Sequence, residues 1–471
     1  MWLIIGCAVV AAALRTPFIR TGISMDEGGY AYVAQQWARG ARLYDSGAWL
    51  DRPQGLLLTY RFLLWLDDAG WTVRLGAVLA GVVITLAVGV IGWLFAGRNA
   101  GIAAAAVYAV VGVAPRIEGF TLNGELLASL PATAAVAAAL LWRRHGSTVL
   151  LVAAGLAAGA ALTMKQSGLD GVVVGLAVVG VGAEPWRRAR RAAVFLAAAA
   201  APIAACALHG AYLGWQRYWS AIVGYQLAAL GGPTAGLSAR LSDVTREIDR
   251  VGQELVIVGC VAGAGLWLLR RSRLALWTIA AWLAAAAIGI NLGGSYWPHY
   301  YLQLLPPLAV LAGAAIAAAR RARLRVATAG LAVMPQLLWF AALLPASPAE
   351  RQQAVPYHGR ALRDERIAAV VRAETEPDDR IFVLVSEANI YFLARRTSSY
   401  PYLWGKPIEK IPEALPRLRA MLDGPRRPTM VVLNSEPGKV DPTGATGRIL
   451  AEHYRVVHIV DGVPLLRAVP G

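Results

Sequence analysis

The chain has 471 residues, of which 57% are hydrophobic and 16% charged, and its formal net charge is +16. Soluble proteins carry about a quarter charged residues, so this composition excludes an ordinary soluble protein and predicts a chain solvated mainly by lipid. The basic residues form short Arg clusters between apolar runs, a pattern typical of cytoplasmic loops and not of a nucleic-acid-binding surface. Cys7, Cys206 and Cys260 lie in apolar runs, so no disulfide framework is predicted.

Apolar runs long enough to cross a bilayer, allowing for tilt, occur at about eleven positions. We place these spans at residues 2–19, 72–95, 99–115, 125–142, 148–164, 170–183, 192–213, 251–269, 274–294, 300–319 and 325–344. The sixth run is short. If 148–183 were one interrupted segment, every later loop would change sides.

The distribution of arginine predicts the orientation in the membrane. Alternate loops of a multi-pass protein lie on the same side of the membrane. Five short loops on one side hold fourteen arginines. The short loops on the other side hold one Arg and one Lys, and their sequences are "PRIEGFTLN", "KQSGLD" and "GGSYWPH". The positive-inside rule then places the N-terminus in the cytoplasm and the first loop, about residues 20–71, outside. The sequence thus predicts a multi-pass protein of the cell (plasma) membrane, in contact with membrane lipids and without a nucleic-acid partner.

From about Pro345 the chain is polar. "RIFVLVS" and "TMVVLN" are typical of buried strands, and "YRVVHIVDGVPLLRAV" is typical of a hairpin with an Asp-Gly type I′ turn. Helical stretches lie between these strands. The predicted fold is therefore a polytopic α-helical membrane domain, residues 1–344, followed by a small extracytoplasmic α/β domain, residues 345–471.

Two adjacent carboxylates stand in the first outer loop, in "SMDEGGYAYVAQQWARG". A structural interpretation is available, because Ser24 and Glu27 match a capping box, and Asp26 suits the first turn of a helix. Tyr30 and the apolar residues after it then form one stripe of that helix. The functional interpretation makes Asp26 and Glu27 catalytic, and these residues alone do not decide between the two.

Other polar side chains lie near predicted outer ends of spans or in the first outer loop. These candidate substrate-binding residues are Asp51, Arg52, Glu125, Lys165, His299 and Tyr300. Lys165 is the most informative, since only four of the 45 basic residues are Lys and the other three follow Pro345. A simple interfacial anchor would explain Lys165, and a helix N-terminal charge would explain Glu125. His299 also fits an aromatic belt, because Tyr and Trp residues surround it.

"DEGGYAYVAQQWARGARLYDSGAWLDRPQG" resembles the first-loop signature of the GT-C glycosyltransferases that use polyprenyl-phosphate sugars. The nearest branch contains protein O-mannosyltransferases and the lipid A aminoarabinose transferase. "NGELLASLP", "LTMKQSG" and "HYYLQLLPPLAVLAG" are similar to later segments of that family, so the resemblance covers about residues 20–340. "ANIYFLARRTSSYPYLW" is similar to the outer domain of bacterial members. "DRPQG" departs from the commoner Lys-Pro-Pro.

The resemblance implies that the chain has a GT-C fold and transfers a sugar from a polyprenyl-phosphate donor. Asp26 would be the catalytic carboxylate with Glu27 beside it, Arg52 would bind the lipid phosphate, and Glu125 would lie near acceptor or sugar. The acceptor is left open between glycan, lipid and protein.

The chemistry of such a donor fits these residue types. The phosphate is already a good leaving group, so the reaction requires one base for the acceptor hydroxyl and cations at the leaving oxygen, and it would invert the anomeric centre. No cofactor is required, although Asp26 and Glu27 are close enough in sequence to hold a divalent cation. The alternative is a transporter or flippase of lipid-linked sugars, which predicts repeated halves and binding residues near the midplane.

Overall fold

The computed structural model describes residues 1–181, 184–230, 245–246, 252–292, 296–355 and 359–469. A helix occupies each of the eleven predicted span positions, and further helices precede residue 70 and follow residue 219. The helices in this part are α1 Trp2–Arg15, α2 Met25–Ala38, α3 Gln54–Leu66, α4 Gly70–Ala96, α5 Arg98–Val111, α6 Gly124–His145, α7 Thr148–Met164, α8 Asp170–Gly180, α9 Pro185–Trp219, α10 Tyr225–Leu230, α11 Gln253–Leu269, α12 Arg273–Leu292, α13 Leu305–Ala318 and α14 Ala322–Leu343.

Six segments of the described chain are long and apolar enough to cross a membrane, and they contain α4, α6, α9, α12, α13 and α14. The other five apolar helices, at the positions of α1, α5, α7, α8 and α11, have 10–17 residues. The structure therefore supports a multi-pass membrane protein, whereas eleven complete crossings remain a prediction. The predicted division of 148–183 is confirmed, because α7 ends at Met164 and α8 begins at Asp170.

The capping box predicted at the start of α2 is confirmed. The Ser24 hydroxyl accepts from the Glu27 backbone N–H at 3.3 Å, and the Glu27 carboxylate accepts from the Ser24 N–H at 3.0 Å. These two bonds satisfy amides that the first helical turn leaves without partners. They fix where α2 begins, and so they fix Asp26 in its first turn.

A five-stranded sheet forms the core of the C-terminal part. Its strands are β1 Arg380–Val383, β2 Thr397–Ser398, β3 Met430–Val432, β4 Tyr454–Val460 and β5 Val463–Ala468, in the order β2-β1-β3-β5-β4. The first three are parallel, and β5 and β4 are antiparallel additions. Its helices are α15 Pro348–Ala354, α16 Arg360–Glu374, α17 Asn389–Ala394, α18 Gly405–Lys410, α19 Ala414–Asp423, α20 Pro437–Val440 and α21 Ala445–His453.

The predicted hairpin is confirmed as β4 and β5. Its two turn residues, Asp461 and Gly462, have φ of 47° and 79°, as a type I′ turn requires. The sequence analysis missed β2, which is only two residues long and carries no periodic signal. The α/β class is thus observed, while the boundary at 345 stays a prediction.

The α/β part packs directly against α2. The backbones approach so closely at Gly28 that an added Cβ would lie 2.4 Å from the Asn389 Cα, and at Gly29 it would lie 2.5 Å from the Trp404 ring. The Tyr32 hydroxyl also accepts a 2.8 Å hydrogen bond from the Ser398 N–H. Two consecutive glycines in α2 therefore allow the sheet domain to contact the helix that carries Asp26.

Candidate active site

A cavity of about 1490 Å³ lies between the helical part and the α/β part. Its walls come from the first loop, from the segments around residues 118, 165 and 299, and from the loops at one edge of the sheet. This volume exceeds that of a typical small-ligand pocket, about 300–1,000 Å³, so it has room for more than one chemical group.

Asp26 lines this cavity, half-buried in the first turn of α2. Its Oδ1 accepts a 3.0 Å hydrogen bond from the indole N–H of Trp404, a residue of the α/β part. Burial raises the pKa of Asp26 above its usual range, while the charges of His299 and Arg52 and the Trp404 hydrogen bond act to lower it. A carboxylate with a raised pKa, facing a cavity, is suited to take a proton.

Glu27 has a different environment. It is fully buried, and its Oε1 accepts from the Leu122 N–H at 2.8 Å. Its Oε2 lies 3.0 Å from an Arg74 Nη that is itself buried. Glu27 is not among the described residues that line the cavity. The structure therefore separates the two adjacent carboxylates, one facing the cavity and one within the protein.

Asp51 and Arg52 both line the cavity and form an ion pair with each other. Asp51 is also held by Gln226, whose amide donates to its Oδ2 at 2.9 Å, and by Gln166, whose amide donates to its carbonyl at 2.7 Å. The Arg52 guanidinium thus has a fixed position at the cavity wall, although the segment before α3 has little regular structure.

Lys165 and Glu125 form a buried ion pair across 40 positions of sequence. Glu125 opens α6, as predicted, behind the N-cap Asn123, whose side chain accepts from the Leu126 N–H at 2.8 Å. The Lys165 ammonium lies 4.3 Å from the centre of the Tyr300 ring. Lys165 and Tyr300 line the cavity, whereas Glu125 lies behind this lining, against Lys165.

His299 lines the cavity and connects two carboxylates. Its Nδ1 lies 3.3 Å from Glu118 and its Nε2 lies 3.8 Å from Glu125. Six of the eight residues named from the sequence therefore share one cavity: Asp26, Asp51, Arg52, Lys165, His299 and Tyr300.

Sequence reasoning missed many residues of this cavity, among them Glu118 and Trp404, which lie beside the predicted site residues. Glu118 was visible as an acidic residue in the outer loop "PRIEGFTLN", and its φ of 56° places it in the left-handed region that non-glycine residues seldom adopt. Trp404 ends the segment "ANIYFLARRTSSYPYLW", 378 positions after Asp26. No local pattern in the sequence indicates a contact at that separation.

A divalent cation shared by Asp26 and Glu27, which the sequence left open, does not fit this geometry, because backbone amides and Arg74 occupy the Glu27 oxygens. Within the described part of the chain, no three His, Cys, Asp or Glu side chains are grouped as a metal site.

The fold was compared with known proteins. No protein-family model matches the sequence, and no curated protein sequence matches it. The crystal structure of ArnT from Cupriavidus metallidurans bound to undecaprenyl phosphate is similar over 100% of this chain and 99% of that one, with a TM-score of 0.66 and 16% identity. The chain has the same fold as this ArnT structure, in agreement with the fold predicted from the resemblance of its first loop to GT-C proteins.

A second solved structure has a similar fold. The archaeal oligosaccharyltransferase AglB from Archaeoglobus fulgidus, in complex with an inhibitory peptide and a dolichol-phosphate, matches 91% of this chain and 68% of its own. The TM-score is 0.58 and the identity 13%. Because both identities are low, these likenesses establish the shared fold alone, and a function depends on the residues of the cavity.

Proposed function

We propose that this protein is an integral membrane glycosyltransferase that moves a sugar from a polyprenyl-phosphate donor to an acceptor hydroxyl at the outer face of the membrane. The observation that carries the proposal is the composition of the cavity wall. Asp26, a carboxylate with no ion-pair partner among the described residues, faces a cavity that Arg52 and Lys165 also line. The structures of similar fold bound to undecaprenyl phosphate and dolichol-phosphate support the donor class.

The reaction requires one proton transfer and one displacement. Asp26 accepts the proton of the acceptor hydroxyl, and the resulting oxygen attacks the anomeric carbon of the donor sugar. The bond between that carbon and the phosphate oxygen breaks, and polyprenyl phosphate leaves with the bonding electrons. Arg52 and Lys165 stabilise the charge that develops on the leaving oxygen. Attack opposite the leaving group inverts the anomeric centre.

We assign Glu27 and Glu125 supporting roles. Glu27 caps α2 and balances Arg74, and Glu125 holds Lys165 at the cavity wall. His299, between Glu118 and Glu125, and Tyr300, beside Lys165, complete the polar wall. Asp51 orients Arg52.

The direct test of this function is to incubate the purified protein with a panel of polyprenyl-phosphate sugars and to measure release of polyprenyl phosphate. We expect release with at least one donor, in the presence of an acceptor extract. Movement of intact donor across a vesicle membrane without release would instead support a transporter or flippase.

Replacement of Arg52 by Ala is expected to weaken donor binding by about 10- to 100-fold, because a hydrogen bond to a charged group contributes about 1.5–3 kcal/mol. Stability should change little, since Asp51 keeps its bond from Gln226. Donor affinity and melting temperature are the measurements. Arg39→Ala, an exposed arginine of the same loop, is the matched control. Equal donor affinity in the two variants would refute the phosphate role of Arg52.

Trp404→Phe is expected to move the acidic limb of the pH–rate profile to higher pH. The indole N–H stabilises the ionised form of Asp26, so its loss raises the pKa of the base, and a higher pH is then needed to deprotonate it. The rate at pH values above this limb should change less than the rate at pH values within or below it. Trp65→Phe, at an exposed tryptophan, should leave the profile unchanged. If the acidic limb does not shift in Trp404→Phe, the Trp404 hydrogen bond does not set the pKa of the catalytic base.

We further propose that the N-terminus is cytoplasmic and that the α/β domain, residues 345–471, is extracytoplasmic. The reason is that the short loops on one side of the membrane contain fourteen basic residues and those on the other side contain two. Reporter fusions after Arg191 should report cytoplasm and fusions after Glu350 the exterior. An interior signal at Glu350 would contradict both the topology and a reaction at the outer face.

A further inference from the structure

The cavity has a second polar region, at the edge of the sheet. The chain leaves β1 to form β2 on one side and then crosses to form β3 on the other. Open α/β sheets bind ligands at such a point, at the carboxyl ends of the strands. We call this region the sheet-edge crevice, and define it by Val385, Ser386, Glu387 and Asn434 after the strands, with Arg363 and Asp364 from α16.

Charged and amide groups alternate along the sheet-edge crevice. Arg363 donates to Asn434 Oδ1 at 2.8 Å, to Asp364 Oδ1 at 2.9 Å and to Glu387 Oε1 at 3.3 Å. The Asn434 amide also donates to Glu387 and, at 3.0 Å, to the Val385 carbonyl. The groups that face the cavity here are therefore fixed in position before any ligand arrives.

Two features beside this network bear on ligand binding. Asn389 is fully buried at the cavity wall, and its amide donates to Asp364 Oδ2 at 3.0 Å and to the Ile23 carbonyl at 3.3 Å. Its Oδ1, by contrast, has no hydrogen-bond partner among the described residues. A buried acceptor left in this way normally costs free energy, so it indicates a donor that binds there. Val385 and Ser386 have φ of 64° and 80°, a strained conformation for non-glycine residues that is concentrated at ligand sites.

The charges of the whole α/β wall of the cavity, which includes the crevice, balance. The α/β residues that line the cavity include four cations and four carboxylates: Arg360, Arg363, Lys406, Lys439, Asp364, Glu387, Glu436 and Asp461. A net-neutral wall gives an anionic ligand no overall attraction. The wall instead offers hydrogen-bond acceptors, the carboxylates, close to hydrogen-bond donors, the guanidinium and amide groups. A hydroxyl group of a ligand can bond to both, because it donates one hydrogen bond and accepts others.

We propose that the sheet-edge crevice is the acceptor subsite and that it binds a neutral, hydroxyl-rich glycan. This inference rests on the proposed function, and it narrows the acceptor from glycan, lipid or protein to a glycan without anionic groups.

The position of the crevice supports this assignment. The Ser386 hydroxyl accepts a 3.2 Å hydrogen bond from the Gly405 N–H, next to the Trp404 that contacts Asp26. A glycan seated in the crevice therefore extends along Trp404, whose ring offers a flat apolar surface for sugar C–H groups. One of its hydroxyls reaches the catalytic carboxylate. The cavity volume of about 1490 Å³ accommodates several sugar units beside the donor.

The test measures glycan binding without donor and without turnover. The purified full-length protein is applied to an array of short neutral oligosaccharides and to phosphorylated or uronate-containing counterparts of the same length. We expect a subset of neutral glycans to bind more tightly than their anionic counterparts, with little dependence on salt. Glu387→Ala should weaken binding by about tenfold, and Arg360→Ala by about threefold, as expected for loss of one or two hydrogen bonds.

Controls separate binding from folding. Arg360 is largely exposed, so its removal leaves the core intact even if Glu387→Ala lowers the melting temperature. Arg448→Ala, an exposed arginine of the same domain outside the cavity lining, should bind glycans as the unchanged protein does.

Three results would overturn the proposal: no neutral glycan binds, anionic glycans bind more tightly, or Arg360→Ala and Glu387→Ala both bind as Arg448→Ala does. Failure of the glycosyltransferase function looks different. In that case, glycans still bind and the Glu387 effect remains, but no polyprenyl-phosphate sugar is cleaved.

Discussion

Asp26→Asn is expected to reduce sugar transfer by about two to four orders of magnitude, the loss expected when a general base is removed. The asparagine keeps the size of the side chain, and its carbonyl oxygen can still accept from the Trp404 indole N–H. What disappears is the ability to accept the proton of the acceptor hydroxyl. The melting temperature should change little, because Asp26 is half-buried at a cavity and belongs to no ion pair among the described residues.

Turnover and donor affinity should be measured on the same preparations. We expect Asp26→Asn to bind the donor with nearly normal affinity and to release little polyprenyl phosphate. Transfer close to that of the unchanged protein would exclude Asp26 as the base. A parallel loss of donor affinity would instead show that Asp26 serves mainly in binding.

Glu27→Gln, one position further on, is expected to lower the free energy of unfolding by about 3 kcal/mol, because it leaves a buried arginine without its counter-charge. Arg74 is 2% exposed, and its nearest carboxylate oxygen is Glu27 Oε2 at 3.0 Å. The glutamine can still accept from the Leu122 or Ser24 N–H, so the loss comes mainly from the ion pair and not from the capping box. Turnover of the protein that remains folded should be only mildly reduced.

A double-mutant cycle with Arg74→Met tests the cause of this destabilisation. If the buried pair is responsible, Glu27→Gln should lower the melting temperature much less in the Arg74→Met background than in the unchanged protein. Additive effects of the two substitutions would show that Glu27 acts through its amide contacts instead. If Glu27→Gln loses sugar transfer but keeps its stability, Glu27 has a catalytic role.

Elements specified by local sequence were predictable. The capping box at Ser24 and Glu27, the break between Met164 and Asp170 and the turn at Asp461 and Gly462 each depend on a few neighbouring residues, and the structure contains all three. Helix positions were likewise predictable, because long apolar runs have few other structures available to them in lipid.

Contacts between distant segments were not predictable. The pairing of Glu125 with Lys165 and the contact between Asp26 and Trp404 depend on how helices and the sheet domain pack, which no local pattern encodes. The different environments of Asp26 and Glu27 have the same origin, since Arg74 and Leu122 come from other helices and loops. The sequence therefore directed the catalytic hypothesis to the first loop, and the packing distinguished the environments of its two carboxylates.

The two cations assigned to the lipid phosphate each have a carboxylate partner, Asp51 for Arg52 and Glu125 for Lys165. A phosphate that enters the cavity must compete with these carboxylates for the cations. The binding affinity therefore reflects only the difference between the free energy of the cation–phosphate interaction and that of the cation–carboxylate interaction. On the proposed function, the same competition acts after the reaction, when the spent lipid carrier must dissociate. The carboxylates then return to the cations and limit product inhibition, which favours rapid recycling of the carrier.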